Sequence, residues 1–299
     1  MPPLPSPIRR HTTCWLIALL ALAGLALATI ARPAHAATPD LRAPLLLLGE
    51  VHDNAALHAL RLQALTRLVT GGARPALLME QFDRERQADI DRELQRALDM
   101  QPGDAEFDAT VDALVKLGST AGGGWAWDLY RPVLKLALQY RLPIMAANVS
   151  RAEARRVIQL GLGPTGFQPE VPADIASAQA SEIEASHCGQ VDAGMAARLA
   201  DAQIARDQFM ARQLKANAER GAVLLAGNGH VRSDIGVPRW LSPALRTRSH
   251  EVGYLETGEW LGQPGAAPFD ETIYAAPQSR PDPCAGMPLP TPTRSGQPP

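Results

Sequence analysis

The sequence predicts an α/β fold, a parallel doubly wound sheet with a helical insertion between its second and third strands. Short continuous apolar runs, typical of strands buried on both faces of a sheet, alternate with longer segments of helical character. The segment between the second and third runs is too long for a single crossover helix, so we expect additional helices there. The chain is 46% hydrophobic and 20% charged, a composition that supports a substantial core.

Four apolar runs predict the inner strands, and two later segments predict a final pair. Proline, glycine or a helix-capping residue bounds most of the runs, which fixes their ends to within a few residues. The inner strands are placed at residues 44–49, 75–79, 143–147 and 221–226, and the final pair at 249–255 and 271–275.

Helical segments separate these strands. Asp53 or Asn54 can cap the helix after strand one, and Gly71-Gly72 can end it. Between strands two and three, the charged segment 84–100 has i,i+4 charge pairs that indicate a solvated face. Shorter helices are predicted at 105–117 and 132–140, and a long alanine-rich helix at 192–220.

The first 36 residues have the layout of a secretory signal peptide that is cleaved near Ala36. Arg9 and Arg10 supply positive charge, residues 14–30 are apolar, and Ala34-His35-Ala36 is an A-x-A cleavage site. An uncleaved anchor is the alternative, because the apolar run is near the lower limit of roughly 18 residues for a membrane span. We therefore expect a periplasmic or secreted protein that meets the membrane only transiently, through this segment.

The remaining chain is expected to form one domain at residues 37–284 and a disordered tail at 285–299, which is rich in proline. The formal charge of the whole chain is −2, and there is no basic run. We therefore expect no nucleic-acid partner. Beyond the signal peptide only Cys188 and Cys284 remain, and in an oxidising compartment we expect them to form a disulfide. Thiolate metal ligation would need further ligands close in sequence.

Two predicted strands end in the same G-x-x-H pattern. Gly49-Glu50-Val51-His52 follows strand one, and Gly227-Asn228-Gly229-His230 follows strand four. Glycine lets the backbone turn sharply at a strand end. If strands one and four are neighbours, His52 and His230 converge in the crevice at the carboxyl edge of the sheet, where open α/β proteins place their sites.

Glu80 and Asn148 end strands two and three and reach the same edge. Two histidines with glutamate suit a transition metal and equally suit acid–base chemistry. A structural interpretation stands beside each assignment: the histidines can cap or pack against the following helices, Glu80 can be exposed, and Asn148 can cap a turn. Glu50 would be costly if it were buried without a partner, which favours a functional role. His58, on the helix after strand one, is either a site residue or a satisfied structural histidine.

Trp125, Trp127 and Tyr130 form an aromatic cluster. It is either part of the core or a flat apolar wall for a planar ligand, with Tyr130 or Tyr140 able to offer a phenolate to Fe(III). Arg131 and Arg151 could pair with carboxylates of such a ligand.

Several motifs occur together in a fixed order between about Leu45 and Cys284. They are Gly49-Glu50-Val51-His52-Asp53-Asn54, a strand ending in Glu80, Tyr130-x-Pro132, Ala146-Ala147-Asn148, His187-Cys188-Gly189 and Ala226-Gly227-Asn228-Gly229-His230-Val231-Arg232. In this set the chain resembles the ChaN family of haem-binding uptake proteins, within the Tiki/TraB and erythromycin-esterase-like superfamily.

The resemblance implies an α/β fold, a cell-envelope location, and haem binding in haem or iron uptake or storage. It also implies haem held between two protomers of a homodimer, by a tyrosine with a histidine nearby. Tyr130, in the matching Tyr-x-Pro motif, is the first candidate for that tyrosine, and Tyr140 is the second. The chain lacks a lipobox, so we expect a soluble protein rather than a lipoprotein. The candidate haem-binding residues are His52, His58, Tyr130, Arg131, Asn148 and His230.

The wider superfamily implies a rival function, a metal-dependent hydrolase resembling Tiki-type proteases or the esterases. His52, Glu80 and His230 would then hold a divalent transition metal, and Glu50 would be the general base toward its bound water. Under this alternative the catalytic residues are Glu50, His52, Glu80 and His230. We favour a binding protein over an enzyme, and the sequence leaves the choice open.

Overall fold

The computed structural model describes residues 39–100, 102–119, 124–259 and 267–287. The predicted signal peptide lies outside these residues, as does the predicted tail apart from residues 285–287. None of the described helices combines the length and the hydropathy that a membrane crossing needs.

Six parallel strands form the centre of the fold. They are β1 (Leu45–Leu48), β2 (Ala76–Asp83), β3 (Ile144–Asn148), β4 (Ala222–Leu225), β5 (Ser249–Glu256) and β6 (Glu271–Ala275). Their order across the sheet is β3-β2-β4-β1-β5-β6. β1 and β4 pair in register from Leu45 opposite Ala222 to Leu48 opposite Leu225, so the two strands that precede the G-x-x-H motifs are neighbours and end side by side.

Helices connect the strands and confirm the α/β prediction. They are α1 (Ala55–Thr70), α2 (Gln87–Arg96), α3 (Ala105–Ser119), α4 (Trp127–Gln139), α5 (Arg151–Leu160), α6 (Ala173–Ser186), α7 (Ala193–Ala216), α8 (Asn228–Val231) and α9 (Pro243–Arg246). Helices α2, α3 and α4 form the predicted insertion between β2 and β3. Short 3-10 helices lie at Arg84–Arg86, Gly163–Thr165 and Val237–Trp240.

The sheet is covered on both faces, as expected for a doubly wound fold. Leu46 and Leu48 of β1 pack into one apolar cluster with residues of α1 and the insertion. Leu45 and Leu47 point to the opposite face and pack into a second cluster with residues of α7. Because successive side chains of a strand alternate in direction, this continuous apolar run fills both clusters.

Two predicted boundaries differ from the structure in ways that affect the site. β2 continues past Met79 to Asp83, with a register shift against β3, so Glu80 lies inside a buried strand and is not an exposed strand end. The helix predicted to begin at Pro132 begins at Trp127 and contains Pro132 in its interior. Proline is most common in the first turn of a helix, but it can occupy an interior position when packing stabilises the helix. At Pro132 the cost is one backbone hydrogen bond, because proline has no N–H to donate.

The predicted disulfide joins Cys188 to Cys284 across a sequence separation of 96 residues. Cys188 lies in the turn after α6, and Cys284 lies in the segment that follows β6. The bond therefore ties the end of the chain to its middle, as the sequence predicts.

Candidate functional site

The carboxyl ends of β1, β2 and β4 meet at one crevice, and each brings site residues to it. Glu50 and His52 follow β1, Glu80 lies in β2, and His230 lies in α8, directly after β4. Two cavities, of about 630 Å³ and about 330 Å³, open there. Both are lined by His52, His230 and Gln203 of α7, so these three residues lie on the boundary between them.

His52 forms a hydrogen-bonded pair with Glu50. Its Nδ1 lies 2.7 Å from Glu50 Oε1, so Nδ1–H donates to the carboxylate and Nε2 is the nitrogen left for other partners. Burial works to lower the pKa of His52, but the bond to Glu50 and the nearby Glu80 raise it above the usual value. The side chain is 51% exposed, and its ring meets Trp125 edge-on with centroids 4.7 Å apart. His52 is therefore an oriented imidazole that is accessible from the crevice.

Gly227 allows the His52 ring to lie close to the chain after β4. A Cβ atom at this position would lie 3.0 Å from His52 Cε1 and 3.2 Å from His52 Nε2. The glycine of the second G-x-x-H motif thus makes room for the histidine of the first.

Glu50 is buried and is supported by several donors. The Tyr130 hydroxyl donates to Oε1 at 2.5 Å, Gln81 Nε2 donates to the same oxygen at 3.3 Å, and Arg61 forms an ion pair with Oε2. Burial works to raise the pKa of Glu50, but Arg61 and His52 lower it to about 2. Protein groups thus face both oxygens of Glu50, and its Oε1 orients His52 through Nδ1–H. Its role as a general base toward water stays a prediction.

Arg61 and His58 form the layer beneath this pair. Arg61 is 1% exposed, and its Nη2 donates to His58 Nδ1 at 3.2 Å. His58 Nε2–H donates to the His52 carbonyl oxygen at 3.1 Å. Burial and Arg61 lower the pKa of His58 to about 4, so it is neutral at pH 7. Both of its nitrogens are used within the protein, and it does not line either cavity, so its position supports His52 and not a ligand.

His230 lies in a different environment, between two carboxylates. Its Nδ1–H donates to Asp207 Oδ1 at 2.6 Å, and its Nε2 lies 3.5 Å from Glu80 Oε1. Burial works to lower the pKa of His230, yet Asp207 and Glu80 raise it to about 10. His230 is therefore an imidazolium at neutral pH, whereas His52 has a nitrogen free for a ligand or a proton.

Glu80 completes the arrangement around His230. Its Oε2 accepts a hydrogen bond from the Gly227 backbone N–H at 2.8 Å. Burial works to raise the pKa of Glu80, but His230 and His52 lower it to about 2. On the far side of His230, burial raises the pKa of Asp207 to about 6. Gln179 Nε2 donates to Asp207 Oδ2 at 3.3 Å and helps to compensate the buried carboxylate.

The other predicted haem-binding residues lie at varied distances from the crevice. Asn148 lines the smaller cavity and donates to the Glu80 carbonyl oxygen at 3.0 Å. Arg131 lies on the insertion, where it pairs with Asp112 and Asp128 and lines neither cavity.

Tyr130 does not have the position that an iron ligand needs. It is fully buried, and burial followed by Glu50 raises the pKa of its phenol far above the usual value. Because α4 begins before Pro132, Tyr130 points into the core, where its hydroxyl donates to Glu50. Tyr140 lies at the other end of α4, with the Arg74 guanidinium 5.1 Å from its ring centroid. The structure thus favours the core interpretation for Tyr130, while Trp125 lines the smaller cavity.

Within the described ranges, no three histidine, cysteine or acidic side chains are arranged so that they could hold a metal ion. The predicted set of His52, Glu80 and His230 is brought together but is not assembled as three ligands. The reason is that Asp207 and Glu80 flank the two ring nitrogens of His230, and Gly227 donates to Glu80.

Sequence reasoning missed Arg61 and Asp207. Each is a charge on an apolar helix face: Arg61 lies four residues from both Leu57 and Leu65, and all three are buried. Asp207 lies three residues after buried Ile204. A charge at a core position of a helix was the available signal, because such a charge requires a buried partner.

The high pKa of His230 predicts a loss of stability at alkaline pH. The pKa is raised from 6.5 to about 10, so the folded protein keeps a proton that the unfolded chain has released. The stabilisation is fully present below about pH 6.5 and is lost as the pH rises through about 10. From about pH 7 to 9 we expect the free energy of unfolding to fall by up to about 1.4 kcal/mol per pH unit from this group.

Urea denaturation at several pH values in this range measures the slope. Asp207→Asn removes one of the carboxylates that favour the His230 imidazolium. The free energy of unfolding of this variant should therefore change less with pH. Parallel slopes for the two proteins would contradict the assignment of the proton to His230.

Comparison with known proteins gives a consistent assignment. The sequence profile of the family described as haem-binding uptake, Tiki superfamily, ChaN matches residues 41–241. No curated protein matches the chain. The solved structure of cofacial haem binding to ChaN of Campylobacter jejuni is similar, with a TM-score of 0.56 at 18% identity. That similarity covers 73% of this chain and 83% of the other, and at this identity it concerns the fold.

Two further structures are more distant. The type III effector HopBA1 has a TM-score of 0.43 at 14% identity, with 79% of this chain and 88% of the other covered. An erythromycin esterase mutant in its open conformation has a TM-score of 0.40 at 13% identity, with 76% and 74% covered.

Proposed function

Since the chain belongs to the ChaN haem-binding uptake family of the Tiki superfamily, we propose that it is an exported protein that binds haem in the crevice above β1 and β4. Its role would be in haem or iron uptake or storage, in the periplasm or outside the cell. The observation that carries the proposal is His52, an accessible imidazole that Glu50 orients through Nδ1. A carboxylate on one nitrogen fixes the tautomer and makes the other nitrogen a better metal donor.

The surroundings of His52 suit a planar, anionic molecule. The two cavities fall within the range of about 300–1,000 Å³ that is usual for small-molecule sites. Trp125 supplies a flat apolar wall beside His52, and Arg151 and Arg206 line the smaller cavity. Guanidinium groups pair well with carboxylates such as the propionates of haem. Together with the imidazole of His52, they favour a flat ligand that has an electrophilic centre and carboxylate substituents.

A homodimer around haem is part of the proposal. His52 is half exposed, so a ligand bound to it would remain partly accessible to a second protomer. The tyrosine ligand implied by the family is not supplied by Tyr130 in this conformation, which leaves His52 as the leading iron ligand in this chain.

A hemin titration tests the proposal. Purified protein should bind hemin at a fixed stoichiometry with a shifted Soret band, and it should bind metal-free protoporphyrin more weakly, because only hemin offers iron to His52. Light scattering during the titration reports whether dimers form. No Soret shift at stoichiometric hemin would refute the proposal, and equal affinity for the two porphyrins would refute iron coordination.

A hydrolase in the same crevice is the second candidate. The specific observation is the 2.7 Å bond between Glu50 and His52, because an oriented imidazole can remove a proton from water. Activated ester substrates, assayed with and without a chelator, test this function. Turnover that is lost in His52→Ala would support it, and chelator sensitivity would identify a metal-dependent form.

A further inference from the structure

The segment that follows β6, residues 276–284, runs from contacts beside the start of α1 to the disulfide in the turn after α6, and we call it the strap. Its first part is fixed beside the start of α1. Asn54 Nδ2 donates to the Ala276 carbonyl oxygen at 2.9 Å, and the Gln278 backbone N–H donates to Glu256 Oε1 at 2.8 Å. The strap therefore begins on the side of the crevice that β1 and β5 form.

Arg280 fastens the middle of the strap to the same side. Its Nε and Nη2 donate to the two oxygens of Asp53 at 2.7 and 2.5 Å, and its Nη1 donates to Glu256 Oε2 at 2.8 Å. Asp53 itself lines the larger cavity. The guanidinium is partly exposed, so this attachment is specific in geometry but modest in strength.

The end of the strap is fixed covalently to the opposite wall. Cys284 is bonded to Cys188, in the turn after α6. The last turns of α6 line the larger cavity through Glu182, Ile183 and Ser186. The strap thus links the two walls of this cavity, with Asp53 on one side and α6 on the other.

The apolar cluster beneath the end of α6 is small. Its buried members are Ile183, Ala196 and Ala200, and the partly buried Ala180, Val191 and Leu199 pack against them. A small cluster buries little apolar surface, so other restraints contribute to the local stability of this region. The residues flanking both cysteines are exposed, which makes the disulfide reachable from solvent. The strap also lies beyond residue 241, where the match to the family profile ends.

We propose that the strap is a clamp on the larger cavity that reduction of the Cys188–Cys284 disulfide releases. While the disulfide is closed, the end of α6 is held in place and ligand exchange is slow. A dithiol, such as that of a thiol–disulfide oxidoreductase, transfers two electrons and two protons, which yields two cysteine thiols and the disulfide of the reductant. The freed wall then opens more often and ligand exchange is faster. The part that concerns ligand exchange rests on the proposed haem function.

Hydrogen exchange tests the clamp without any ligand. In Cys188→Ser/Cys284→Ser, the backbone amides of residues 179–191 should exchange about tenfold faster or more than in the oxidised protein, while those of β1 and β4 should not change. Reduction of the unaltered protein with a small dithiol should have the same effect, which guards against a folding defect in the variant. Arg280→Gln should give a smaller increase, and Arg42→Gln, an exposed arginine that pairs with Asp40, should give none. Unchanged exchange in both the variant and the reduced protein would overturn the proposal.

Hemin transfer to excess apomyoglobin tests the functional half. Transfer should be about tenfold faster from the reduced protein than from the oxidised protein, in parallel with the opening of α6. Equal transfer rates despite faster hydrogen exchange would overturn control of ligand exchange by the clamp. If hemin does not bind at all, the proposed function fails, and the hydrogen-exchange result still decides whether the strap is a clamp.

Discussion

Replacing Arg61 by alanine is expected to lower the free energy of unfolding by about 3–5 kcal/mol, the usual effect of breaking a buried ion pair. Arg61 and Glu50 are each at most 3% exposed and face each other in an ion pair. Removing the guanidinium leaves a buried carboxylate without its counter-charge and leaves His58 without its donor. Urea denaturation at neutral pH measures the change.

The chain provides a matched control on the same helix. Arg67 is exposed on α1, and Arg67→Ala should change stability by no more than about 0.5 kcal/mol. The double variant Glu50→Gln/Arg61→Met, which removes both charges, should recover part of the loss. A loss below about 1 kcal/mol for Arg61→Ala would show that Arg61 does not compensate the charge of Glu50.

The second large effect is expected at His52. His52→Ala should weaken hemin binding by about 100-fold or more, since the loss of an outer-shell partner alone lowers metal affinity by about 10–100-fold. The Soret band of any residual complex should also shift, because the donor to iron changes. Glu50→Gln keeps the shape of the orienting residue but removes its charge. The hemin affinity of this variant should lie between that of His52→Ala and that of the unaltered protein. Titration followed by visible spectroscopy measures both effects.

His250 supplies the control for this prediction. It lies near the amino end of β5, whereas the crevice lies at the carboxyl ends of the strands. There it contacts Asp270 and Glu271. His250→Ala should therefore bind hemin as the unaltered protein does. If His52→Ala binds hemin with unchanged affinity and spectrum, His52 is not the ligand in this chain.

The sequence was sufficient to predict the framework of the site. Apolar runs identified the strands, and the two G-x-x-H motifs indicated that His52 and His230 would meet in one crevice if β1 and β4 were neighbours, which the sheet order shows them to be. These features depend on local patterns and on the general rule that α/β proteins place their sites at the carboxyl edge of the sheet. The disulfide could also be predicted, because only two cysteines follow the predicted cleavage site.

The partners of these residues could not be predicted, because they depend on how helices pack across the fold. Asp207 meets His230 only because α7 crosses the end of β4, and Arg61 meets Glu50 only because α1 places it beneath the strand end. The direction of Tyr130 depended on where α4 begins. Because the helix begins at Trp127 and not at Pro132, Tyr130 lies inside it and donates a hydrogen bond to Glu50.

The two histidines differ in how their ring nitrogens are partnered. His52 has one carboxylate partner and presents its Nε2 to the crevice, whereas both ring nitrogens of His230 face carboxylates, those of Asp207 and Glu80. The positive charge of His230 is therefore balanced inside the protein, and of the two histidines His52 is the one that can donate an electron pair to a molecule in the crevice. Two motifs that share only their first glycine and their final histidine thus place one imidazole at the crevice and lock the other into a buried charge network.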